Sequence, residues 1–363
     1  MENVIRKKLN DLIETITPPQ KLKKDSYLTL GKYPIIDQGK NYLAGYTNDE
    51  KVLLPYGEYV LFGDHTLSVK YINGRFAQGA DGLKILKSKE NNTKYLYYAL
   101  CEYNLRNTEY KRHWTQAKEI EIPLPPLAVQ KKIVEILDTF TGMIDNLQKE
   151  LEQRQKQFEH YRDQMLTFKE GEVQMKPIKE IGKLVRGNGL QKKDFTEDGT
   201  GCIHYGQIYT RFGLSTSSTL TFVDSQLAAK LTKVSPGDLV IACTSENIED
   251  VCKSVAWLGK EDIVTGGHAC VFKHSENPKY IAYCFTTSAF FLQKRKYAYG
   301  AKVIDIKTEK LGEITLPVPS LEKQQEIVDK LDTFEALISN IKQEIELRQK
   351  QYEFYREKLL TFE

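Results

Sequence analysis

A stretch of 46 residues occurs twice in this chain, and no other feature limits the possible folds as strongly. Residues 123–168 return without a gap as residues 317–362, and 24 of the 46 aligned positions are identical. A repeat of this length indicates two copies of one structural element. The chain therefore has to fold around a duplicated element, with one unique segment before each copy.

Each copy has the pattern of a long coiled-coil helix. A pair of prolines opens it, at a position where a helix start accepts proline. The apolar residues that follow are spaced alternately four and three residues apart for about five heptads, which is typical of a coiled-coil seam. A helix of about 40 residues is roughly 60 Å long. The predicted seam consists of Ile133, Leu137, Phe140, Ile144, Leu147, Leu151, Arg154, Phe158 and Tyr161 in the first copy and of Ile327, Leu331, Phe334, Ile338, Ile341, Ile345, Arg348, Tyr352 and Tyr355 in the second.

The seam contains one arginine in each copy, Arg154 and Arg348. Glu150 and Glu344 precede them by one turn, in the order that favours a Glu–Arg pair. Two interpretations are open: the arginine sets the register of the coiled coil, or it lies at the seam edge with its aliphatic stem packed. We expect the two helices to pair with each other in antiparallel fashion, because this arrangement makes the chain pseudo-twofold.

Composition narrows the class of protein. The 363 residues are enough for more than one core, 40% are hydrophobic, 28% are charged, and the net charge is +3 at pH 7. No apolar run approaches the length of a membrane span, and the N-terminus lacks the pattern of a signal peptide. The six cysteines show no CxxC spacing, so we predict neither a disulfide framework nor a zinc site. A reduced, cytoplasmic location fits this usage.

The remaining segments have the mixed pattern of α+β domains. Residues 1–16 predict a short amphipathic helix, with apolar residues on one side. Residues 33–36 and 59–62 predict strands, residues 94–105 a helix and residues 119–124 a final strand. Residues 169–176 read as a polar link. The second segment repeats this plan faintly: residues 237–241 match 57–61, residues 279–283 match 94–98, and residues 266–267 match 79–80.

No catalytic motif was found. The chain contains no GxGxxG before a helix, no GxxxxGK[ST], no HExxH and no GxSxG. The turns instead carry basic side chains with interleaved aromatics, which suit a phosphate backbone, together with Arg, Gln and Asn, which suit base edges. The candidate DNA-binding residues are Lys23, Lys24, His65, Lys70, Arg75, Gln78, Lys111 and Arg112 in the first segment and Arg186, Asn188, Gln191, Lys192, Lys193, Tyr205, Gln207, Arg211, Asn247, Lys294, Arg295 and Lys296 in the second.

The helix-opening motif resembles a known family. Residues 122–138, echoed by residues 316–332, resemble the conserved regions of the specificity subunit (HsdS) of type I restriction–modification systems. Residues 33–39, 44–47 and 76–82 resemble stretches common in the target recognition domains of that family. The resemblance covers essentially the whole chain in domain order.

The resemblance implies a fold and an assembly. The expected fold is α+β, with a first target recognition domain at residues 1–122, a conserved helix at 123–176, a second target recognition domain at 177–316 and a second conserved helix at 317–363. Each domain would read one half of a bipartite site in double-stranded DNA. The helices would set the half-site spacing and dock two methyltransferase subunits.

The resemblance further implies that this chain is not catalytic and holds no cofactor. The methyltransferase subunits would use S-adenosylmethionine, and restriction subunits would use ATP and Mg²⁺. A second copy of the chain is a candidate partner when the subunit is isolated. Two other functions stay open: a coiled-coil adaptor whose globular domains bind proteins, and a self-sufficient restriction or methylation enzyme.

Overall fold

The computed structural model describes residues 4–105 and 112–362 of the chain. They form two compact units: unit 1 comprises Met1–Lys149 and Lys342–Glu363, and unit 2 comprises Glu150–Ile341. Both units contain helices and sheets, which confirms the predicted mixed α and β fold. Two long helices, α4 (Leu127–Met165) and α11 (Leu321–Thr361), confirm the predicted helices of the repeat, and each contributes residues to both units.

The globular part of unit 1 contains three sheets, with strand orders β2-β8-β5-β6, β4-β3-β7 and β1-β9. Its helices are α1 (Leu9–Leu12), α2 (Thr93–Tyr103) and α3 (Trp114–Ala117). Its strands are β1 (Ile5–Lys8), β2 (Ile13–Ile16), β3 (Tyr33–Ile36), β4 (Gly45–Thr47), β5 (Gly57–Gly63), β6 (Val69–Gly74), β7 (Ala77–Gln78), β8 (Leu83–Ser88) and β9 (Glu121–Leu124).

The globular part of unit 2 contains two five-stranded sheets, ordered β11-β21-β17-β19-β14 and β12-β15-β13-β20-β16, and the pairs β10-β23 and β18-β22. Its helices are α5 (Ile178–Ile181), α6 (Tyr205–Thr210), α7 (Ser225–Ala228), α8 (Pro278–Cys284), α9 (Ser288–Tyr297) and α10 (Thr308–Leu311). Its strands are β10 (Gln174–Pro177), β11 (Gly182–Arg186), β12 (Phe195–Thr196), β13 (Thr200–Ile203), β14 (Ser215–Thr216), β15 (Thr221–Val223), β16 (Thr232–Val234), β17 (Leu239–Ala242), β18 (Thr244–Ser245), β19 (Ser254–Trp257), β20 (Ile263–Thr265), β21 (Ala269–His274), β22 (Ile304–Asp305) and β23 (Thr315–Val318).

The helix predicted for residues 1–16 is wrong. Strand β1 pairs with β9, one helical turn follows, and β2 pairs with β8. The apolar residues fit a helical spacing, but three of them are isoleucines, and β-branched side chains suit strands. Pairing with strands far along the chain decides the outcome. For the same reason the predicted polar link 169–176 already contains the start of β10, which pairs with β23.

The central strand of each unit is buried on both faces. In β5 the side chains of Val60 and Phe62 enter one core cluster, while Tyr59 and Leu61 enter another. In β17, Leu239 and Ile241 likewise face a different cluster from Val240 and Ala242. A strand buried on both faces reads as a continuous apolar run, which is why sequence alone predicted β5 correctly.

One helix in each unit attaches the globular part to a long helix by the same contacts. In unit 1, Tyr98 of α2 donates a hydrogen bond to Asp138 of α4 over 2.6 Å, and Lys94 pairs with the same carboxylate at 2.7 Å. In unit 2, Tyr283 of α8 donates to Asp332 of α11 over 2.7 Å, and Lys279 pairs with it. The weak sequence similarity between residues 94–98 and 279–283 therefore corresponds to the same set of contacts in both units.

Candidate nucleic-acid interface

Each unit contains a pair of parallel strands that ends in polar loops, and unit 2 has a further parallel pair, β14–β19. In unit 1, β3 and β7 run parallel, with Ile36 opposite Gln78. In unit 2, β13 and β20 run parallel, with Ile203 opposite Thr265. Parallel strands have their carboxyl ends at the same edge of the sheet, so the loops that follow the two strands lie side by side. We call residues 37–44 and 79–82 of unit 1, and residues 204–207 and 266–268 of unit 2, the strand-end loops.

Hydrogen bonds from two side chains hold the strand-end loops of unit 1. The buried ammonium group of Lys70 donates to the carbonyl oxygens of Asp37 at 2.7 Å and Asn41 at 2.6 Å. Desolvation by burial lowers the pKa of Lys70. The side-chain amide of Gln38 donates to the Asp81 carbonyl at 3.0 Å, and its oxygen accepts from the backbone of His65 at 3.1 Å. Three loops are thereby joined into one surface.

Glycines allow the close approaches that this surface requires. Gly82 has a φ of +95°, and a Cβ there would lie 2.4 Å from the Gln38 amide nitrogen. In unit 2, a Cβ on Gly187 would lie 2.0 Å from the Gly266 carbonyl oxygen. The loop after β11 therefore lies directly against a strand-end loop.

Exposed cations surround the loops of unit 1. Lys24 and Lys40 line a cleft of about 510 Å³ beside Asp37 and Asn41. Lys21 pairs with Asp81 at 2.7 Å. This hydrogen-bonded pair lowers the pKa of the Asp81 carboxyl, and the charge of Arg112 acts in the same direction. Because the side chains of Lys24 and Lys40 are exposed, they can contact phosphate oxygens directly.

The loops of unit 2 are held by Arg186 and Asn188. The Arg186 guanidinium donates to the Gly267 carbonyl and to the Asp305 carboxylate, both at 3.3 Å. Asn188 donates to the Lys230 carbonyl at 3.0 Å. Exposed Lys192 and Lys193 form the short 3₁₀ turn that follows. Arg186 therefore joins two loops, whereas the side chains of Lys192 and Lys193 are exposed to solvent.

A row of aromatic rings crosses the strand-end loops of unit 2. The Tyr205 ring lies 4.5 Å from that of His204 and 4.8 Å from that of His268. His268 is hydrogen-bonded to Thr244 at 3.0 Å. Burial lowers the pKa of His204, and the charges of Lys192 and His268 act in the same direction. At neutral pH His204 is therefore an uncharged imidazole, and its Nδ1 accepts a hydrogen bond from the Gly206 backbone N–H at 3.2 Å, which leaves Nε2–H as the donor.

The predicted DNA-binding residues that the structure describes form three groups: buried residues, residues in or beside the strand-end loops, and residues on other elements. Lys70, Gln78 and Lys294 are buried, with Lys70 and Lys294 bonded to backbone carbonyls, so we leave them out of the interface. Lys111 lies outside the described residues. The strand-end loops and the loops beside them carry Lys23, Lys24, His65, Arg112, Arg186, Asn188, Gln191, Lys192, Lys193, Tyr205, Gln207 and Asn247.

The remaining predicted residues belong to other elements. Arg75 follows β6 and contacts Glu50 and the Tyr33 ring, at the opposite end of β3 from the loops. Arg211 caps α6, and Arg295 and Lys296 are exposed on α9. His268 and Lys40 also lie on the strand-end loops, and neither is among the predicted DNA-binding residues. The signal for His268 was present, because it directly follows the Gly266–Gly267 pair that matched residues 79–80.

The long helices run antiparallel within each unit. In unit 1 the rings of Phe140 and Tyr355 stack with centroids 5.3 Å apart. In unit 2 the rings of Tyr161 and Phe334 stack at 5.5 Å. In unit 1, Ile133 and Leu137 near the start of α4 share a core cluster with Leu360 near the end of α11. In unit 2, Ile327 and Leu331 near the start of α11 share one with Leu166, directly after α4. The predicted seam residues are buried or half-buried except Tyr355, which is 42% exposed.

The seam arginines pair as their spacing suggests. Arg154 lies 3.5 Å from Glu150, and Arg348 lies 2.7 Å from Glu344. Both arginines are half-exposed, so each pair contributes little stability.

Among residues 4–105 and 112–362, no three His, Cys, Asp or Glu side chains are grouped so that they could hold a metal ion. Over the same residues, none of the helices combines the length and the apolar character needed to cross a membrane.

The sequence matches a family described as type I restriction modification DNA specificity domain over residues 1–154 and 170–347. It is 31% identical to the specificity subunit of the type I restriction enzyme EcoR124I/EcoR124II from Escherichia coli, covering 94% of this chain and 90% of that protein. It is 27% identical to a putative type I restriction enzyme specificity subunit from Haemophilus influenzae, covering 98% and 95%.

The fold is similar to a solved structure as well. The S subunit of a type I restriction–modification system from M. genitalium aligns with a TM-score of 0.62 at 15% sequence identity, covering 99% of this chain and 97% of that one. At this identity the likeness concerns the fold alone.

Proposed function

Because the chain belongs to the family of type I restriction–modification DNA specificity subunits, we propose that each unit reads one half of a bipartite DNA site through its strand-end loops. One observation supports this proposal: the two units share the same arrangement of strands and helices, but their loops carry different side chains. Each unit has a parallel strand pair, a central buried strand and a helix anchored to a long helix, yet the loops differ. Two similar supports with unlike loops suit two unlike half-sites.

Contact with DNA is divided between two kinds of side chain. The exposed lysines beside the loops supply phosphate contacts, which position a protein on the duplex and carry no sequence information. The exposed polar loop residues, such as Asn188 and Gln191, supply hydrogen bonds to base edges. Loops held by buried hydrogen bonds keep these groups in place before DNA arrives.

The assembled enzyme divides its chemistry among subunits. We propose that this chain supplies recognition and no catalysis, that two methyltransferase subunits bind its long helices and use S-adenosylmethionine, and that restriction subunits use ATP and Mg²⁺. The long helices also set the spacing between the two half-sites. Family membership supports this division, since related chains are specificity subunits of restriction enzymes.

Substitution of the loop lysines tests the DNA interface. The double variant K192A/K193A is compared with K179A/K183A, which removes two exposed lysines from the start of β11 and its preceding turn in the same unit. Loss of two phosphate contacts should weaken DNA binding by roughly tenfold and reduce the slope of log affinity against log salt by about 2. The control should bind as the wild type does. Equal salt slopes in all three proteins would contradict the proposed interface.

A further inference from the structure

A short hairpin, residues 299–305, lies beside the strand-end loops of unit 2. The backbone N–H of Tyr299 donates to the Asp305 carbonyl over 3.0 Å, and the N–H of Asp305 donates to the Tyr299 carbonyl over 2.8 Å. Gly300 has a φ of +117°, and a Cβ there would lie 2.0 Å from the Val303 carbonyl oxygen. Only glycine accepts this conformation and this contact without strain. The hairpin is therefore a tight, defined turn.

Two contacts join the hairpin to the candidate nucleic-acid interface. Its second strand, β22, pairs with β18, and Thr244 of β18 is hydrogen-bonded to His268 of a strand-end loop at 3.0 Å. The Arg186 guanidinium donates to the Asp305 carboxylate and to the Gly267 carbonyl, both at 3.3 Å. The turn therefore lies at the same edge of unit 2 as the loops proposed to face DNA.

The turn exposes an apolar side chain beside cations. Val303 is 57% exposed and Tyr299 is 50% exposed. Lys302 is exposed next to Val303, and the Lys307 ammonium lies 5.9 Å from the centre of the Tyr299 ring. A single exposed valine is common on protein surfaces. Here it is held by a constrained turn at the edge of a basic interface, so it contacts what that interface binds.

The shape of the hairpin and the chemistry of valine indicate what Val303 contacts. A two-stranded ribbon fits the major groove of B-DNA, which is about 12 Å wide, better than the minor groove, which is about 6 Å wide. In the major groove the base edges present hydrogen-bond donors and acceptors and one apolar group, the C5-methyl of thymine. The Val303 side chain can neither donate nor accept a hydrogen bond. The thymine methyl is therefore the base-edge group that it complements.

We propose that the half-site read by unit 2 contains a thymine whose C5-methyl group packs against Val303. Lys302 contacts a phosphate beside that base. This inference rests on the proposed function, which makes DNA the ligand, and deepens it by naming one base and the side chain that reads it. Hydrogen bonds do not separate thymine from uracil, because the two bases differ only in this methyl group. An apolar contact to thymine can therefore be measured separately.

The test removes the methyl group from the DNA and the valine from the protein. The full-length chain is purified in complex with its methyltransferase subunits, and sequencing of methylated genomic sites defines the DNA site. Duplexes are then prepared in which each thymine of the site is replaced in turn by deoxyuridine. Fluorescence anisotropy measures binding by the wild type, V303A, V303I and the control L292A, whose residue is 61% exposed on α9. Thermal melting checks that all variants fold.

We expect one thymine of the site to matter through its methyl group. Deoxyuridine at that position should weaken binding by the wild type roughly fourfold, the effect of removing one methyl-sized group from an apolar contact. V303A should bind the thymine duplex more weakly by a similar factor and should no longer distinguish it from the deoxyuridine duplex. V303I should keep the preference, since its side chain is also apolar and branched at Cβ. L292A should behave as the wild type does.

The proposal is overturned if deoxyuridine has no effect at any thymine of the site, or if the methyl effect persists unchanged in V303A. A third result would also overturn it. If V303A weakens binding of the thymine and deoxyuridine duplexes equally, Val303 contacts the sugar or inserts between base steps, and the thymine assignment is wrong.

The proposed function fails in a different way. If the wild-type complex does not prefer its methylated genomic site to a scrambled duplex, sequence recognition by this chain is contradicted. If the complex binds its site specifically and no methyl effect depends on Val303, sequence recognition stands and only the thymine contact is lost.

Discussion

Phe140 of α4 stacks on Tyr355 of α11 in unit 1. The equivalent residues of the repeat, Phe334 of α11 and Tyr161 of α4, make the same contact in unit 2. Each helix supplies a phenylalanine to one unit and a tyrosine to the other. One repeated sequence can therefore serve both helices of an antiparallel pair. The duplication seen in the sequence reappears in the structure as the same ring contact in each unit.

Removing either phenylalanine should affect only its own unit. F140A and F334A each delete a half-buried ring, and we expect each to lower the free energy of unfolding by about 2 kcal/mol. Hydrogen exchange should rise in the helix segments of unit 1 for F140A and of unit 2 for F334A. The neighbouring exposed residues provide controls, T139A and T333A. Equal loss of protection in both units from one substitution would show that the stacks are not independent.

The tyrosines that hold the globular parts to the helices should contribute equally. Burial and the bond to Asp138 raise the pKa of Tyr98, and burial and Asp332 raise that of Tyr283, so both remain protonated donors near neutral pH. Y98F and Y283F remove a hydrogen bond to a carboxylate, and we expect each to cost about 1–2 kcal/mol in urea unfolding. Y56F, at a tyrosine that is 75% exposed, is the control. A change below about 0.5 kcal/mol would mean that the lysine pair suffices.

Helix length should determine the spacing of the DNA site. Inserting one heptad after Glu150 and another after Glu344 keeps the seam in phase on both helices. It lengthens each helix by about 10.5 Å, which corresponds to roughly three base pairs. Sequencing of methylated genomic sites should show a longer spacer with unchanged half-sites. Insertion in one helix alone, which breaks the pairing, serves as the comparison, and an unaltered spacer in the double insertion would refute the relationship.

A half-buried histidine, His274, should make unit 2 less stable in acid. Burial lowers the pKa of His274 below its usual value of 6.5, although the charges of Asp238 and Glu276 oppose the shift. The unfolded chain therefore binds this proton more readily than the folded chain does. The stabilisation is complete above pH 6.5 and is lost as the pH falls through the lower, folded-state pKa.

The variant H274Q removes this titration. Melting temperatures measured between pH 7.5 and 5.0 should fall less steeply for H274Q than for the wild type. H160Q, at an exposed histidine on α4, should follow the wild-type curve. Parallel curves for all three proteins would exclude His274 as a source of the pH dependence.

Local patterns predicted the elements whose identity depends on neighbours in sequence. The long helices, the doubly buried strand β5 and helix α2 all follow from apolar spacing that each segment carries by itself. The same approach gave the wrong structure for residues 1–16. Their apolar spacing fits a helix, but they form strands because their pairing partners lie near residues 88 and 122. Lys70 and Lys294 show why the residues of the candidate interface could not be predicted reliably from the sequence. A lysine looks the same in sequence whether it faces phosphate or holds a buried loop carbonyl.

The sequence by itself determined that the chain contains two long seam-bearing helices and two mixed globular segments, because heptad spacing and an ungapped repeat are properties of the order of residues. Only the tertiary structure decided which loops stand side by side, since the parallel pairs β3–β7 and β13–β20 join segments far apart in the chain. It also decided which apolar residues of the two repeated helices are covered and which remain exposed. Burial depends on what the rest of the fold places against a residue, and no local pattern records that.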